Sequence, residues 1–151
     1  MTKNAIDNIL NAITDLILEK WREGKFGIPG GRIIYGPELA SPCLSITPGP
    51  GGPEDVHLDK GMVNRLPITI NGKDIDMEEL LGSLYSIHEL LTQKTDYSDL
   101  FISGRWEASE DYQVIDIETT ASPAIIGREG NTSGAPWLAG SSIEVTFYQY
   151  K

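Results

Sequence analysis

Ser141-Ser-Ile-Glu-Val-Thr-Phe-Tyr-Gln-Tyr150 is the stretch on which the fold turns. Ile143, Val145 and Phe147 alternate with Glu144, Thr146 and Tyr148, a period of two that marks a strand with one buried and one wet face. Residues 112–120 carry a weaker version, in which Gln113, Ile115, Ile117 and Thr119 alternate with Val114, Asp116 and Glu118. The two runs are expected to be antiparallel neighbours. Between them, residues 122–140 are rich in Gly, Pro and Ser and carry no sustained apolar period, which predicts a long functional or mobile loop.

Working back toward the N-terminus, Asp76 followed by Glu79 has the spacing of a capping box and opens a helix. Its apolar stripe is Met77, Leu80, Leu81, Leu84, Ile87, His88 and Leu91, and residues 92–105 then form a polar connection. Before it, Asn71-Gly72 signals a turn. Leu66, Ile68 and Ile70 share one face of a strand, and Pro67, which has no N–H, predicts that this strand lies at an edge or is bulged. Residues 55–59 alternate polar and apolar. Residues 32–35 and 43–47 are short strand candidates, the second with Leu44 and Ile46 inward. Pro48-Gly-Pro-Gly-Gly-Pro53 is a turn or exposed arm, since it can be neither helix nor central strand. The chain opens with a helix over residues 4–23, where Ile6, Ile9, Leu10, Ile13, Leu16, Ile17 and Trp21 form one stripe that Gly24 and Gly27 end.

This order predicts an α+β fold, a mostly antiparallel β-sheet with two packed α-helices. At 151 residues the chain is read as one domain, residues 1–151, with projecting loops at 48–53 and 127–140. No apolar run approaches the roughly 20 residues of a membrane helix, so no membrane partner is expected. Asp7 and Asp15 fall where a secretion signal would be uncharged. Cys43, the sole cysteine, excludes an internal disulfide and a multi-thiolate metal site.

Twenty-two acidic against twelve basic residues give a formal net charge of −10. Phosphate binding runs on Lys and Arg, so tight nucleic-acid binding is disfavoured. Plain solubility accounts for such acidity, and so does a surface that sits near DNA without holding it.

Little in the sequence reads as catalytic. Asp55, His57 and Asp59 project to one face of a strand and could seed a divalent-metal site or a small metal-dependent enzyme, but a real site needs further ligands. His88, on an apolar helix stripe, is expected to be packed with a hydrogen bond. No Gly-x-Ser-x-Gly elbow is present, and the prolines between Gly49, Gly51 and Gly52 spoil a phosphate nest. The expectation is a protein with no catalytic residue, no cofactor and no bound metal. Protein contacts remain. Trp106, Trp137, Tyr148 and Tyr150 lie in predicted loops or on the outward phase of a strand, where such aromatics serve interfaces or cover a core edge. Trp21 and Phe26 close the first helix and either dock on their own sheet or meet a partner.

The layout then resembles a known group. An N-terminal helix, Leu44-Ser-Ile-Thr47, Asp59-Lys-Gly61 running into Arg65-Leu-Pro-Ile-Thr-Ile70, and the helix from Asp76 come first. Ile117-Glu-Thr-Thr-Ala-Ser-Pro-Ala-Ile-Ile-Gly-Arg-Glu-Gly130 and the closing aromatic strand follow. Together they resemble the minor capsid and tail-terminator proteins of long-tailed bacteriophages. The match covers most of the chain as an order of elements, and its sharpest pieces are the Ser122-Pro123 turn, Gly127-Arg-Glu129 and the last strand. The resemblance implies a tail-terminator-like fold and a structural virion protein made in the bacterial cytoplasm. It implies a homohexameric ring that caps the tail tube protein, joins it to the head–tail connector protein and lets genomic DNA pass without specific binding. Candidate subunit or tail contacts are then Trp21, Phe26, Trp106, Arg128, Glu129, Trp137, Tyr148 and Tyr150.

Overall fold

The computed structural model describes residues 3–35, 42–48, 63–93, 97, 100–102, 112–128, 130 and 134–149. Among them the elements are α1 (Lys3–Arg22), a 3-10 turn (Pro29–Gly31), β1 (Ile33–Tyr35), β2 (Cys43–Pro48), β3 (Val63–Asp74), α2 (Met77–Thr92), β4 (Phe101–Ile102), β5 (Tyr112–Arg128) and β6 (Trp137–Gln149). The class is α+β, as the sequence predicts.

Helix α1 buries the stripe that its spacing marks out, with Ile6, Ile9, Leu10, Ile13, Leu16 and Ile17 all in the core. Lys20 and Arg22 occupy its last turn, where cations oppose the negative end of the helix dipole. Gly24 then takes φ +79 and its N–H donates to Trp21 O, a left-handed stop that suits glycine. Trp21 and Phe26 pack half-buried against the same core, so this helix docks within its own chain.

The sheet has six strands in the order β1-β2-β3-β6-β5-β4. All neighbouring strands are antiparallel except β1 and β2. Leu66, Ile68 and Ile70 of β3 and Ile143, Val145 and Phe147 of β6 point into one apolar cluster shared with both helices. In β2 the expected alternation gives way to continuous burial of Cys43, Leu44, Ser45 and Ile46. Strand β3 is central in the order, and its register runs unbroken through Pro67, opposite Glu144. The edge-or-bulge expectation is corrected in this way: β2 ends at Pro48 opposite Ile68, so at Pro67 the strand has a described neighbour on one side only, and the missing N–H can be tolerated there.

The Asn71-Gly72 turn is also corrected. Both residues lie inside β3, and the chain reverses at residues 74–76. Asp76 caps α2, as expected, by accepting from the Glu78 and Glu79 N–H groups at 3.0 and 3.1 Å. The Asp76 N–H is satisfied by Asp74 Oδ1 at 3.3 Å, a role that the capping-box spacing gives to Glu79. Leu80, Leu84, Ile87, His88 and Leu91 are buried, whereas Met77 at the open end is exposed.

The largest correction concerns residues 122–140. Strand β5 runs on through the Ser122-Pro123 step to Arg128, and β6 begins at Trp137, so most of residues 122–140 is strand, and of the projecting loop expected at 127–140 residues 127, 128 and 137–140 are paired sheet. Seventeen residues of β5 face thirteen of β6, and the register slips between Val114 and Asp116, Thr119 and Ala121, Ala121 and Ala124, and Ile125 and Gly127. These bulges break the alternation that would have betrayed a strand. The first one turns Ile115 outward and places Tyr112, Val114 and Ile117 in the core. The connection at 92–105, expected to be polar, contributes buried Tyr97 and Leu100 and the short strand β4. The arm at 48–53 lies outside the described residues beyond Pro48.

Candidate functional site

With both helices in the cluster on one side of the sheet, the alternate residues of the central strands face the other way. Arg65, Pro67 and Thr69 of β3 and Ser142, Glu144, Thr146 and Tyr148 of β6 lie on that second face, and none is buried. On β5, Glu118 stands directly opposite Glu144, and Asp116 opposite Thr146. Arg65 Nε approaches Glu144 Oε1 at 3.8 Å, but this exposed pair contributes little. Like charges directly across a sheet repel, so the Glu118–Glu144 pair costs stability and gives the face a field that repels anions.

On the helix side, His88 Nδ1 and Thr119 Oγ1 share a hydrogen bond of 2.8 Å, the packed arrangement expected of this histidine. Burial pushes the His88 pKa below 6.5, and its Nε2 has no hydrogen-bond partner among the described residues. The Tyr97 hydroxyl donates to Leu91 O at 2.6 Å. Burial raises its pKa, the negative charge of Asp116 raises it further, and a backbone hydrogen bond from Ile117 partly offsets them.

An open cleft of about 560 Å³ separates the chain after α1 from the first half of α2. Lys25 stands on one wall, with Asp74, Glu79, Ser83 and Ser86 around it. The lining can bind polar groups and contains no histidine or cysteine. Among the described residues no group of three or more His, Cys, Asp or Glu side chains could hold a metal ion. No helix among them is long and apolar enough to cross a membrane.

The contact candidates are scattered. Trp21 and Phe26 pack on their own core. Trp137, expected in a loop, opens β6 half-buried, and the Arg128 guanidinium lies over its ring at 4.7 Å while Arg128 Nε donates to Ala135 O at 3.1 Å. Arg128 and Trp137 are therefore the one pair of candidates brought together among the described residues. Tyr148 lies on the polar sheet face, the outward phase that its alternation indicates. Trp106, Glu129 and Tyr150, and the Asp55, His57 and Asp59 trio, lie outside the described residues. Two surface features had no signal in the sequence: Ile126, 70% exposed, and Ile75, 58% exposed. Ile126 lies on β5 and Ile75 in the reversal between β3 and α2, and composition alone assigns such apolar residues to a core. No family model matches this chain, and neither does any curated protein.

Proposed function

We propose that this chain is a structural subunit of the head–tail junction of a long-tailed bacteriophage, of the tail-terminator kind. It works as a homohexameric ring that caps the tail tube, meets the head connector and catalyses no reaction. The observation that carries this reading is the one-sided sheet. Both helices share a single core with one face, and the other face carries Asp116, Glu118 and Glu144 against Arg65. A ring through which DNA travels is served by a surface that repels phosphate, because attraction would hold the polymer in transit. The formal charge of −10 supports the same reading. The group order that resembles terminator proteins supports it from the sequence.

Native mass spectrometry with negative-stain microscopy tests it. Rings of six copies are expected, either free or on purified tails. A chain that remains monomeric both alone and with tails ends the proposal.

A further inference from the structure

Among the described residues the sheet leaves two open edges, and the register sets them at the same height. Ile33 pairs with Leu44, Leu44 with Gly72, Gly72 with Ala139 and Ala139 with Ile125. One residue on, the row is Ile34, Ser45, Asn71, Gly140 and Ala124. Nearer the start of β5 the outer edge is occupied, since β4 pairs with Tyr112 and Gln113 and the Val114 N–H donates to Leu100 O. From Glu118 to Arg128 no described strand pairs with its outer side, and Ala124 and Ile126 are exposed. At the far end β2 is the only described strand that pairs with β1. The Leu44 N–H donates to Arg32 O, so the Arg32 backbone faces β2 and, by alternation, the backbone groups of Ile33 and Tyr35 face outward.

The strand directions match as well. Strand β1 runs with β2, and three antiparallel steps separate β2 from β5, so β1 and β5 run in opposite senses. Rotation about an axis along the strands keeps that opposition, and a neighbour's β1 arrives antiparallel to β5. Length also matches. Pro123 offers no N–H, and register slips flank Ala124 and Ile125, which leaves a short pairable segment opposite a strand of three residues.

We propose that a second copy of this chain lays its Ile33–Tyr35 strand antiparallel on the outer edge of β5, with Ile34 opposite Ala124 and Ile33 opposite Ile125. The sheet then runs on from subunit to subunit; this rests on the ring reading above. The contact is heterologous, the kind that closes a ring when the rotation fits. It sets the neighbour's Ile34 beside Ala124, on the face where Ile126 covers Gly140, and so shields an isoleucine that is 70% exposed in the single chain. Six strands at about 4.8 Å span about 29 Å, so six copies make a cylinder about 55 Å across. The bulkier helical side takes the roomier outer surface, and Asp116, Glu118 and Glu144 line the bore.

An Ile34→Cys, Ala124→Cys double variant tests the contact. Within one subunit these positions are four strand spacings apart, about 19 Å, whereas a disulfide needs α-carbons within about 7 Å. Mild oxidation is expected to give a covalent ladder ending at six copies in the double variant and none in either single variant. Rings of normal mass that do not cross-link overturn the edge pairing and leave the ring reading standing. A chain that never associates removes both. Ile126→Asp, at an exposed site, is expected to abolish rings with an unchanged circular dichroism spectrum, and intact rings would again overturn the edge pairing.

Discussion

Leu80 of α2 sits so close over Gly72 of β3 that a β-carbon at position 72 would come within 2.5 Å of Leu80 Cδ1 and 3.0 Å of Leu44 Cδ2. The glycine is therefore a packing residue, and the first turn of α2 seats on the sheet through it. Gly72→Ala is expected to destabilise the fold by about 1–3 kcal/mol, the usual effect of an added methyl in a filled core. Urea unfolding measures it. A companion Leu80→Ala change, which makes room, should render the alanine at 72 less harmful than it is alone.

Acid sensitivity is expected to centre on His88. Its folded pKa lies below the unfolded value of 6.5 because burial disfavours the imidazolium. The unfolded chain thus binds the proton more readily. Stability from the neutral ring is fully present above 6.5 and is lost as pH falls through the folded value. Comparing urea midpoints at about pH 7.5 and about pH 5.5 should show a drop that His88→Gln reduces. An equal drop in both proteins would assign the effect elsewhere.

Asp76 accepts two backbone N–H groups at the start of α2, which no other described side chain satisfies. Asp76→Ala is expected to cost about 1 kcal/mol and Asp76→Asn less, because the amide oxygen still accepts. Thermal unfolding of the two variants separates the hydrogen bonds from the charge.

Phe147 and Tyr112 meet edge to face, with centroids 5.9 Å apart, and both rings are almost wholly buried. Phe147→Ala should cost about 3–5 kcal/mol, while Phe147→Leu should cost much less. Denaturant titration gives both values.

The sequence showed most clearly the elements whose burial is one-sided. Strand β6 alternates without a slip around Ile143, Val145 and Phe147, and α1 and α2 carry wide stripes, so periodicity alone located them. It failed where backbone pairing is not matched by side-chain burial. Residues 118–122 of β5 are exposed whatever their phase, so hydrogen bonds to β6 hold a strand whose side chains give no alternation. Ile115 and Ile117 look like one face, and a single bulge between Val114 and Asp116 sends them to opposite sides. Asn71-Gly72 has turn composition, but the pressure of Leu80 is a tertiary fact that no dipeptide carries.

The polar sheet face was legible only in part. Alternation places Glu144, Thr146 and Tyr148 outward, where the structure has them. That Glu118 lies opposite Glu144 depends on the register across the β5–β6 ladder, which a sequence without that register does not display. The Arg128 and Trp137 contact was hidden for the same reason, since it needs the two strand ends to meet.

Cys43 is 0% exposed and is the only sulfhydryl in the chain. Water-soluble alkylating reagents should therefore leave the native protein untouched and mark it only as it opens. A dye, spin label or gold tag attached through an added surface thiol would sit at one known place, so the particle can be mapped by optical or magnetic ruler without first deleting a natural residue.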